Sequence, residues 1–293
     1  MLSEQKLKNK IQDYSKKFNV LPQQLYGLYG LEQLLKKIEK SDFRDAFVVK
    51  GGYLLSSTFG LNSRTTRDLD ATIRNMKLTE EKVKELVDII TTPDEKGIQY
   101  FKLRKQSIIR EKFDYDGYNL KFHFMIGKTI IPIELDLTTG EDLLPIHSNS
   151  KIPLIFEEGS IGMPSYPLEQ ILADKFYTTI AYASIDDKNS RTKDLYDIYF
   201  LTKFNEDIDY FKVNQSVEKT MIQRKMVISP TTYNDLLGSL EKSDFQYSQW
   251  SKFQANHLYA RNISFEEVLK SVSGLSLELV KISEMNSHNH QVE

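Results

Sequence analysis

The chain has 293 residues, and its 40% hydrophobic and 11% aromatic content supports a large folded core, which argues against disorder. It has no cysteine, which excludes disulfides, thiolate metal sites and a cysteine nucleophile, so a reducing cytoplasm is the expected compartment. The net charge of −2 argues against a generalised nucleic-acid coat, and no apolar run is long enough to span a membrane.

Two amphipathic helices are predicted at the start of the chain, over residues 3–19 and 22–40, with the break at Pro22. We expect the lysines of both helices to face solvent. An apolar stripe marks the second helix and is formed by Leu25, Leu28, Leu31, Leu34, Leu35 and Ile38.

The glycine pair Gly51-Gly52 follows a short apolar strand, 47–49, and precedes a stretch compatible with a helix. Glycine pairs usually mark ordinary turns, but they also let the backbone approach a triphosphate closely. A loop rich in arginine and threonine follows and leads into Asp68 and Asp70. The order and spacing of the two motifs favour a phosphate site over an ordinary turn.

Strand periodicity places Asp68 and Asp70 on one face of the predicted strand 68–73, with its apolar residues on the other. Two carboxylates two residues apart lie about 7 Å apart along a strand, and they repel by roughly 1–4 kcal/mol at contact distance. Mg²⁺ binds one or two such carboxylates together with water and phosphate oxygens. An acidic pair is more often a solvated strand end, but this one, after the glycine pair, predicts a Mg²⁺ site.

A helix is predicted from residue 78 to 90, with Thr79 as its N-cap, followed by a turn near Gly97. Residues 99–142 then show a strand pattern, with a hairpin turn at 126–128. The chain up to this point therefore mixes helices and strands.

The last of these strands repeats the acidic pattern, with Glu134 and Asp136 on the face opposite its leucines and isoleucines. Alone, this pair is best explained as an exposed sheet face. If the two acidic strands are neighbours in one sheet, however, their carboxylates converge on one side and supply three or four ligands to a metal cluster. Either Glu134 or Asp136 can be the third acid, and we favour Asp136.

The stretch 96–128 is unusually rich in cations and aromatic residues. Such a mixture can bind RNA through phosphate contacts and base stacking. It is also typical of a sheet with one solvent face and one core face, which we favour slightly. The cations are Lys96, Lys102, Arg104, Lys105, Arg110, Lys112, Lys121 and Lys128, and the aromatic residues are Tyr100, Phe101, Phe113, Tyr115, Tyr118, Phe122 and Phe124.

Residues 143–166 form a loop-rich connection in this prediction, with one possible short strand at 154–156. We place a domain boundary near residue 160, which separates an α/β domain, 1–160, from a helical domain, 161–293. The helical domain is predicted to contain a capping box, Ser264 to Glu267, and to end in a frayed polar tail from Asn286.

Lys175 falls in the middle of the apolar stripe of a helix opened by Pro167. A lysine in such a place must find an anion or lose its proton, although its side chain commonly reaches the surface instead. Asp194 and Asp197 lie three residues apart on a later helix and repel each other unless a cation joins them. Lys175 or a nucleotide-bound metal would pair with them, and so would Arg191 at the start of that helix.

These motifs together resemble the AbiEii-type nucleotidyltransferase toxins, a branch of the DNA-polymerase-β-like fold found in abortive-infection and type IV toxin–antitoxin systems. The resemblance covers roughly residues 45–205 and is carried by KGG, RTTRDLD, IELDL, LADKF and RTKDLYDIYFL. It implies an α+β fold, with a mixed polymerase-β-like sheet and helices followed by a C-terminal helical lobe. Many polymerase-β-like enzymes have Gly-Ser where this chain has Gly51-Gly52, so the resemblance leaves open whether Ser56 or Ser57 touches the phosphates.

The resemblance also implies roles for individual residues. Asp68, Asp70 and Asp136 would be the metal ligands, and Lys175 would pair with either Asp194 or Asp197 as the family's lysine–aspartate pair. The nucleotide phosphates would be held by a set drawn from both halves of the chain, namely Lys50, Gly51, Gly52, Arg64, Thr65, Thr66, Arg67, Arg191 and Lys193.

The implied reaction is nucleotidyl transfer from an NTP, with Mg²⁺ as the cofactor. Asp68 and Asp70 would hold Mg²⁺ on the triphosphate, and a second ion shared with Asp136 would activate the attacking hydroxyl, with Asp136 as general base. Lys175, with an arginine of the 62–67 loop, would stabilise charge on the departing pyrophosphate. Asp68→Ala and Lys175→Ala are each predicted to abolish growth inhibition and to leave the fold intact.

By the same resemblance the acceptor is RNA, at the tRNA 3′ end, so that transfer blocks translation and growth in phage defence. The partners are then the NTP, the RNA and a cognate antitoxin that forms no stable complex, and the chain is expected to be a monomer. Two alternatives remain: transfer to a small molecule or a protein side chain, and a non-catalytic NTP-binding regulatory module. The clustered carboxylates argue against the latter, because they are costly to hold together without a metal.

Overall fold

The computed structural model describes five stretches of the chain, which form two compact units. The last of the seven described strands ends close to the division between these units. The described residues up to Tyr166 form the first unit, and those from Pro167 onwards form the second. The predicted domain boundary near residue 160 stays a prediction. The described stretches are residues 1–61, 64–109, 117–139, 147–185 and 191–289, with the backbone alone for 147–149 and 287–289.

A mixed seven-stranded sheet forms the centre of the first unit, in the order β3-β4-β5-β2-β1-β7-β6. The pairs β2·β5 and β1·β7 are parallel, and the other neighbours are antiparallel. The strands are β1 Phe47–Lys50, β2 Asp68–Ile73, β3 Phe101–Ile109, β4 Gly117–Ile126, β5 Thr129–Thr139, β6 His147–Pro153 and β7 Ser160–Ser165. The helices of this unit are α1 Glu4–Phe18, α2 Pro22–Glu39, α3 Gly51–Phe59 and α4 Glu80–Thr91. The α+β class with a mixed sheet is confirmed.

Helix α2 packs on the apolar face of this sheet. All six residues of its predicted stripe are fully buried. Gly30 lets the helix come close, because a Cβ at that position would lie 3.0 Å from the ring of Phe124, and Tyr29 meets the same ring edge-on. The predicted N-cap of α4 is also present, since the Thr79 hydroxyl accepts a hydrogen bond from the N–H of Lys82 at 3.3 Å.

The described part of the stretch 96–128 has a core face and a solvent face, as favoured from the sequence. Phe101, Phe122 and Phe124 are buried in the core, while Lys102 and Lys105 are exposed. Residues 110–116 lie outside the described part of the chain. The buried rings are therefore core residues and do not form a stacking surface for bases.

The prediction for residues 143–166 is wrong where the structure describes them. From residue 147 onwards this segment contains β6 and β7, and the predicted strand 154–156 lies in the turn that joins them. Strand β7 has a readable alternation of buried Ile161 and Met163, but β6 reads HSNSKIP and carries no such pattern. Strand β6 forms because its backbone pairs with that of β7. Its own side chains do not predict a strand.

Glu32 of α2 anchors the turn between β6 and β7. From the sequence alone, it was assigned only to an amphipathic helix. Its carboxylate is fully buried and accepts hydrogen bonds from the N–H groups of Ile155 at 2.7 Å and Phe156 at 3.3 Å. Burial raises the pKa of Glu32, and these bonds and the nearby Lys36 oppose the rise. Helix α2 is thus buried more deeply than a single apolar stripe predicts.

Glu32→Ala is expected to destabilise the first unit strongly, because each buried N–H left without an acceptor costs about 1–3 kcal/mol. Urea unfolding measures the loss. Glu39→Ala is the matched control, since the Glu39 carboxylate accepts one backbone N–H, that of Gly162 at 2.6 Å, from a half-buried position. A loss for Glu32→Ala no larger than for Glu39→Ala would contradict the anchoring role.

The second unit is helical throughout its regular structure in the described residues, as predicted. The predicted capping box is confirmed: the N–H of Ser264 donates to Glu267 Oε2 at 2.9 Å, and the N–H of Glu267 donates to Ser264 Oγ at 3.1 Å. No helix of the described residues is both long and apolar enough for a membrane span. The helices are α5 Leu168–Ala183, α6 Thr192–Phe204, α7 Tyr210–Gln223, α8 Tyr233–Glu241, α9 Asp244–Asn256 and α10 Phe265–Asn289.

Helix α10 continues to Asn289, so the prediction of a frayed tail from Asn286 is wrong for residues 286–289. Residues 290–293 lie outside the described part of the chain. Buried Leu275, Leu279 and Ile282 anchor the helix up to its last turns, and the polar residues beyond them simply continue its hydrogen bonding.

Candidate active site

Two neighbouring parallel strands bring the predicted acids to one side of the sheet. Strand β2 pairs in register with β5, so that Asp68 lies opposite Glu134 and Asp70 lies opposite Asp136. Because directly paired residues project to the same side of a sheet, all four carboxylates emerge on one face. We call this the polar face; the leucines between the acids point to the opposite face and are buried.

Asp136 is more strongly engaged than Glu134. The Nδ2 of Asn119 donates to Asp136 Oδ1 at 2.6 Å and lies 3.3 Å from Glu134 Oε2. Burial raises the pKa of Asp136; Asn119 opposes the rise, and the charges of Asp68 and Glu134 add to it. Glu134 instead forms an ion pair with Lys121 at 3.0 Å and keeps 41% of its side chain exposed. This geometry favours Asp136 as the third acid.

The chemistry of these donors fits a divalent cation that prefers oxygen. Burial raises the pKa of Asp136 and the charges of Asp68 and Glu134 raise it further, whereas a cation placed beside these carboxylates would lower it. Within the described residues no group of three or more acidic or histidine side chains is assembled closely enough to hold an ion by itself. Phosphate and water would therefore have to complete the shell, as is usual for Mg²⁺. The ligand set Asp68, Asp70 and Asp136 stays a prediction.

The glycine pair makes room for three side chains of the site. Gly51 begins α3 with φ at +70°, and a Cβ there would collide with the carboxylate of Asp70. A Cβ on Gly52 would lie 2.7 Å from Nη2 of Arg64 and 3.0 Å from Oγ1 of Thr66. At both positions glycine lets these side chains lie close to the backbone of α3. The neighbours that the structure identifies are therefore protein side chains, whereas the sequence suggested phosphates.

The remaining predicted phosphate ligands of the first unit differ in exposure. Lys50 is the antiparallel partner of Asp70, its Nζ donates to Thr138 Oγ1 at 2.9 Å, and the same Nζ lies 5.4 Å from the centre of the Tyr166 ring. Residues 62 and 63 of the loop lie outside the described part of the chain. In the rest of that loop Arg64, Thr65 and Thr66 are buried and Arg67 is exposed, and the Thr66 hydroxyl donates to Asp68 Oδ1.

The two serines of α3 serve the local backbone. Ser56 Oγ donates to the carbonyl of Gly52 at 2.8 Å, and the hydroxyl of Ser57 donates to the carbonyl of Pro153. Both side chains are buried. Neither hydroxyl is therefore placed as a substitute for the serine of the Gly-Ser motif.

A buried charged cluster surrounds Lys175 in the second unit. Its Nζ donates to Asp194 Oδ1 at 2.6 Å and lies 3.4 Å from Asp197 Oδ2, and the three side chains are 18%, 3% and 0% exposed. Arg191 donates to the second oxygen of Asp194, so both of the partners considered from the sequence are present. Burial opposes ionisation of Asp194, but Lys175 and Arg191 outweigh it and lower the pKa of Asp194. Lys193 is exposed.

Asn119 lies beside the acids and was not singled out from the sequence. It belongs to an alternating strand whose odd positions, Asn119, Lys121 and His123, face away from the core. That alternation is readable from the sequence. Its contact with Asp136 is not, because it depends on how β4 is aligned with β5.

Comparisons with known proteins identify the family of the chain and proteins of similar fold. A family model described as nucleotidyl transferase AbiEii toxin, type IV TA system, matches residues 33–271. JHP933 from Helicobacter pylori has a similar structure, with a TM-score of 0.51 and 17% identity over 93% of this chain and 98% of that one. MenT4, a nucleotidyltransferase toxin from Mycobacterium tuberculosis H37Rv, gives a TM-score of 0.52 and 15% identity over 96% and 99% of the two chains. At these identities the two structures show the fold alone, and no curated protein matched the sequence.

Proposed function

The chain belongs to the AbiEii family of nucleotidyltransferase toxins of type IV toxin–antitoxin systems, and we propose that it transfers NMP from an NTP to RNA. The proposed acceptor is the tRNA 3′ end, so that the product blocks translation and growth. The main support for this proposal is the register of β2 and β5. It places Asp70 directly beside Asp136, with Asp68 on the same face of the sheet. Transfer from an NTP needs such a set of carboxylates and a phosphate-binding backbone next to it.

Asp68, Asp70 and Asp136 are the residues that would hold Mg²⁺ in this proposal. When bound, Mg²⁺ neutralises charge on the phosphates and makes the attacking hydroxyl easier to deprotonate. Asp136, the carboxylate that lies directly opposite Asp70, accepts the proton of that hydroxyl. Asn119 holds the Asp136 carboxylate in one orientation through its 2.6 Å hydrogen bond.

The cations are assigned to the phosphates. Arg67, which is exposed, is better placed to contact a ligand than Arg64, which is buried against Gly52. Lys175 is assigned to the charge on the departing pyrophosphate. The further proposed phosphate contacts are Lys50, Gly51, Thr65, Thr66, Arg191 and Lys193.

A cognate antitoxin and an NTP substrate follow from membership of a type IV family. We further propose that the antitoxin opposes the toxin without a stable complex, that the chain acts as a monomer, and that it works in the cytoplasm, where its NTP and RNA substrates are found. Co-purification of the toxin with its antitoxin at equal expression checks the first of these statements. A stoichiometric complex would contradict it.

Incubation with each labelled NTP in turn, Mg²⁺ and total RNA tests the proposed activity, with Asp68→Ala as the control. We expect label in the tRNA band from the wild type and none from the variant. Label in a protein or small-molecule fraction would replace the RNA acceptor by one of the other acceptor classes. Tight NTP binding with no label in any fraction would make the chain a binding module.

Gly51→Ala is expected to lower nucleotidyl transfer by about 100-fold, because its Cβ would displace the Asp70 carboxylate and misplacements of about 1 Å have effects of that size. The rate of label transfer measures this. Gly60→Ala is the matched control: Gly60 also has a positive φ, at +86°, but nothing lies within 4 Å of its Cβ position. Both variants carry the backbone strain, so an equal loss of transfer in both would exclude the steric role of Gly51.

A further inference from the structure

A row of cations continues across the polar face beyond the four acids. In one line across the sheet lie Asp68 of β2, Glu134 of β5, Lys121 of β4 and Lys105 of β3. Neighbouring strands are about 4.8 Å apart, so the acidic half of the line passes directly into the basic half. One step further along the same strands, Lys102 lies opposite His123.

A β-bulge in the edge strand β3 produces this row. Leu103 pairs with Phe122, but the next paired residue is Lys105, opposite Lys121, so Arg104 is the extra residue. With unbroken pairing Lys105 would stand opposite buried Leu120, on the apolar side of the sheet. Bulges re-aim side chains in this way and are common beside active sites.

The basic half of the row is only partly neutralised in the protein by itself, because Lys121 pairs with Glu134 at 3.0 Å. Two lysines directly opposite each other on adjacent strands repel, and among the described residues no carboxylate forms an ion pair with Lys102 or Lys105. Lysines on an edge strand can protect it from pairing with another chain, but that protection does not require a second lysine opposite. A bound anion would remove the repulsion.

We propose that Lys102, Lys105 and Lys121 bind backbone phosphates of the acceptor RNA next to its reacting end. This inference rests on the proposed function and deepens it by locating the acceptor strand. If the terminal hydroxyl lies at Asp136, nucleotides that precede it toward β4 and β3 would meet these cations. The aromatic side chains of these strands are buried in the core, so the contacts are to phosphates and carry little base preference.

The test compares Lys105→Glu with Lys105→Arg and with Lys84→Glu. Lys84 is an exposed lysine of α4, which packs with α2 and β3 on the apolar side of the sheet, so it is matched in charge change but does not belong to the polar face. The measured quantities are the KM for RNA, the KM for NTP and the melting temperature. Wild-type labelling of RNA is established first, because its failure would overturn the proposed function and this inference with it.

Lys105→Glu is expected to raise the KM for RNA roughly three- to thirtyfold, since an attraction and a new repulsion are each comparable to one exposed ion pair. The KM for NTP stays unchanged, and the melting temperature stays the same or rises, because Glu opposite Lys121 forms a favourable cross-strand pair. Lys105→Arg and Lys84→Glu retain the wild-type KM for RNA. For Lys105→Ala, the slope of log affinity for RNA against log salt concentration is expected to become shallower by roughly 0.7.

A wild type that labels RNA, together with a Lys105→Glu variant of unchanged KM for RNA, would overturn this inference and leave the proposed function standing. The row would then be a protective feature of the edge strand. An equal rise in KM for Lys84→Glu would overturn it as well, since the effect would belong to net charge and not to the polar face.

Discussion

Asp136→Asn is expected to abolish nucleotidyl transfer and growth inhibition and to leave the folded protein at least as stable as the wild type. Loss of the general base alone lowers the rate by about 10²–10⁴-fold, and the same substitution removes a charged metal ligand. The side chain keeps its shape, and its Oδ1 still accepts the hydrogen bond that Asn119 donates at 2.6 Å. Label transfer to RNA and growth after induction measure the first half of the prediction.

The stability half follows from the pKa of Asp136, which burial raises and which Asp68 and Glu134 raise further. A carboxyl with a higher pKa in the folded than in the unfolded chain holds its proton more tightly when folded. Ionisation therefore lowers stability as the pH rises through the unfolded pKa, about 3.9, and the penalty is complete above the folded pKa. Asparagine does not ionise, so the metal-free variant should melt no lower than the wild type at neutral pH. The difference should vanish below pH 3.9.

Glu134→Gln is the matched control for Asp136→Asn. It removes the other β5 carboxylate of the polar face, one that is 41% exposed and paired with Lys121, and we expect most of the transfer activity to remain. If Glu134→Gln abolishes transfer and Asp136→Asn does not, then Glu134 is the third acid. A lower melting temperature for Asp136→Asn at neutral pH would contradict the electrostatic account.

Lys175→Ala is expected to destabilise the second unit by about 3–5 kcal/mol, because it leaves buried carboxylates without their ammonium partner. Asp194 and Asp197 are 3% and 0% exposed, and Lys175 lies 2.6 Å and 3.4 Å from their nearest oxygens. A domain has a total stability of only about 5–15 kcal/mol, so this loss would remove a large share of the stability of the unit. The sequence predicted loss of toxicity with an intact fold, and the buried cluster changes that expectation: toxicity and stability should fall together.

Urea unfolding of the purified variants checks this prediction, with Lys212→Ala as the control. Lys212 and Asp209 form an exposed ion pair at 3.1 Å in the same unit, and exposed pairs of this kind contribute little to stability. The pKa of Asp194 is lowered, so the stability gained from its ionised form is present above the unfolded pKa and lost as the pH falls through the folded pKa. The difference between wild type and Lys175→Ala should therefore narrow in acid. Unfolding of Lys175→Ala as late as that of Lys212→Ala would show that the cluster is not structural.

A Lys175→Arg variant separates the structural from the chemical role of this residue. Its guanidinium keeps a positive charge between the aspartates but replaces a compact ammonium by a planar donor. We expect stability close to that of the wild type and a reduced transfer rate. Full activity of Lys175→Arg would argue that the lysine serves the fold alone.

Local patterns in the sequence were sufficient for most of the secondary structure. The β1–α3–β2 segment, the Thr79 N-cap, the β4–β5 hairpin and the Ser264–Glu267 capping box each depend on residues close together in the chain. Alternation also assigned the acids of β2 and β5 to the face opposite the core. Strands β6 and β7 were both missed: the polar sequence of β6 has no alternation, and its conformation depends on pairing with β7, the next strand along the chain.

The sequence by itself determined which side chains face away from the core and that one lysine had to find an anion. Only the tertiary structure decided which residues meet. It set Asp70 beside Asp136, gave Asp136 its Asn119 partner, and brought the Asp70 carboxylate against Gly51. The physical reason is that side-chain periodicity specifies a face, whereas register and close approach arise from pairing and packing between segments far apart in the chain.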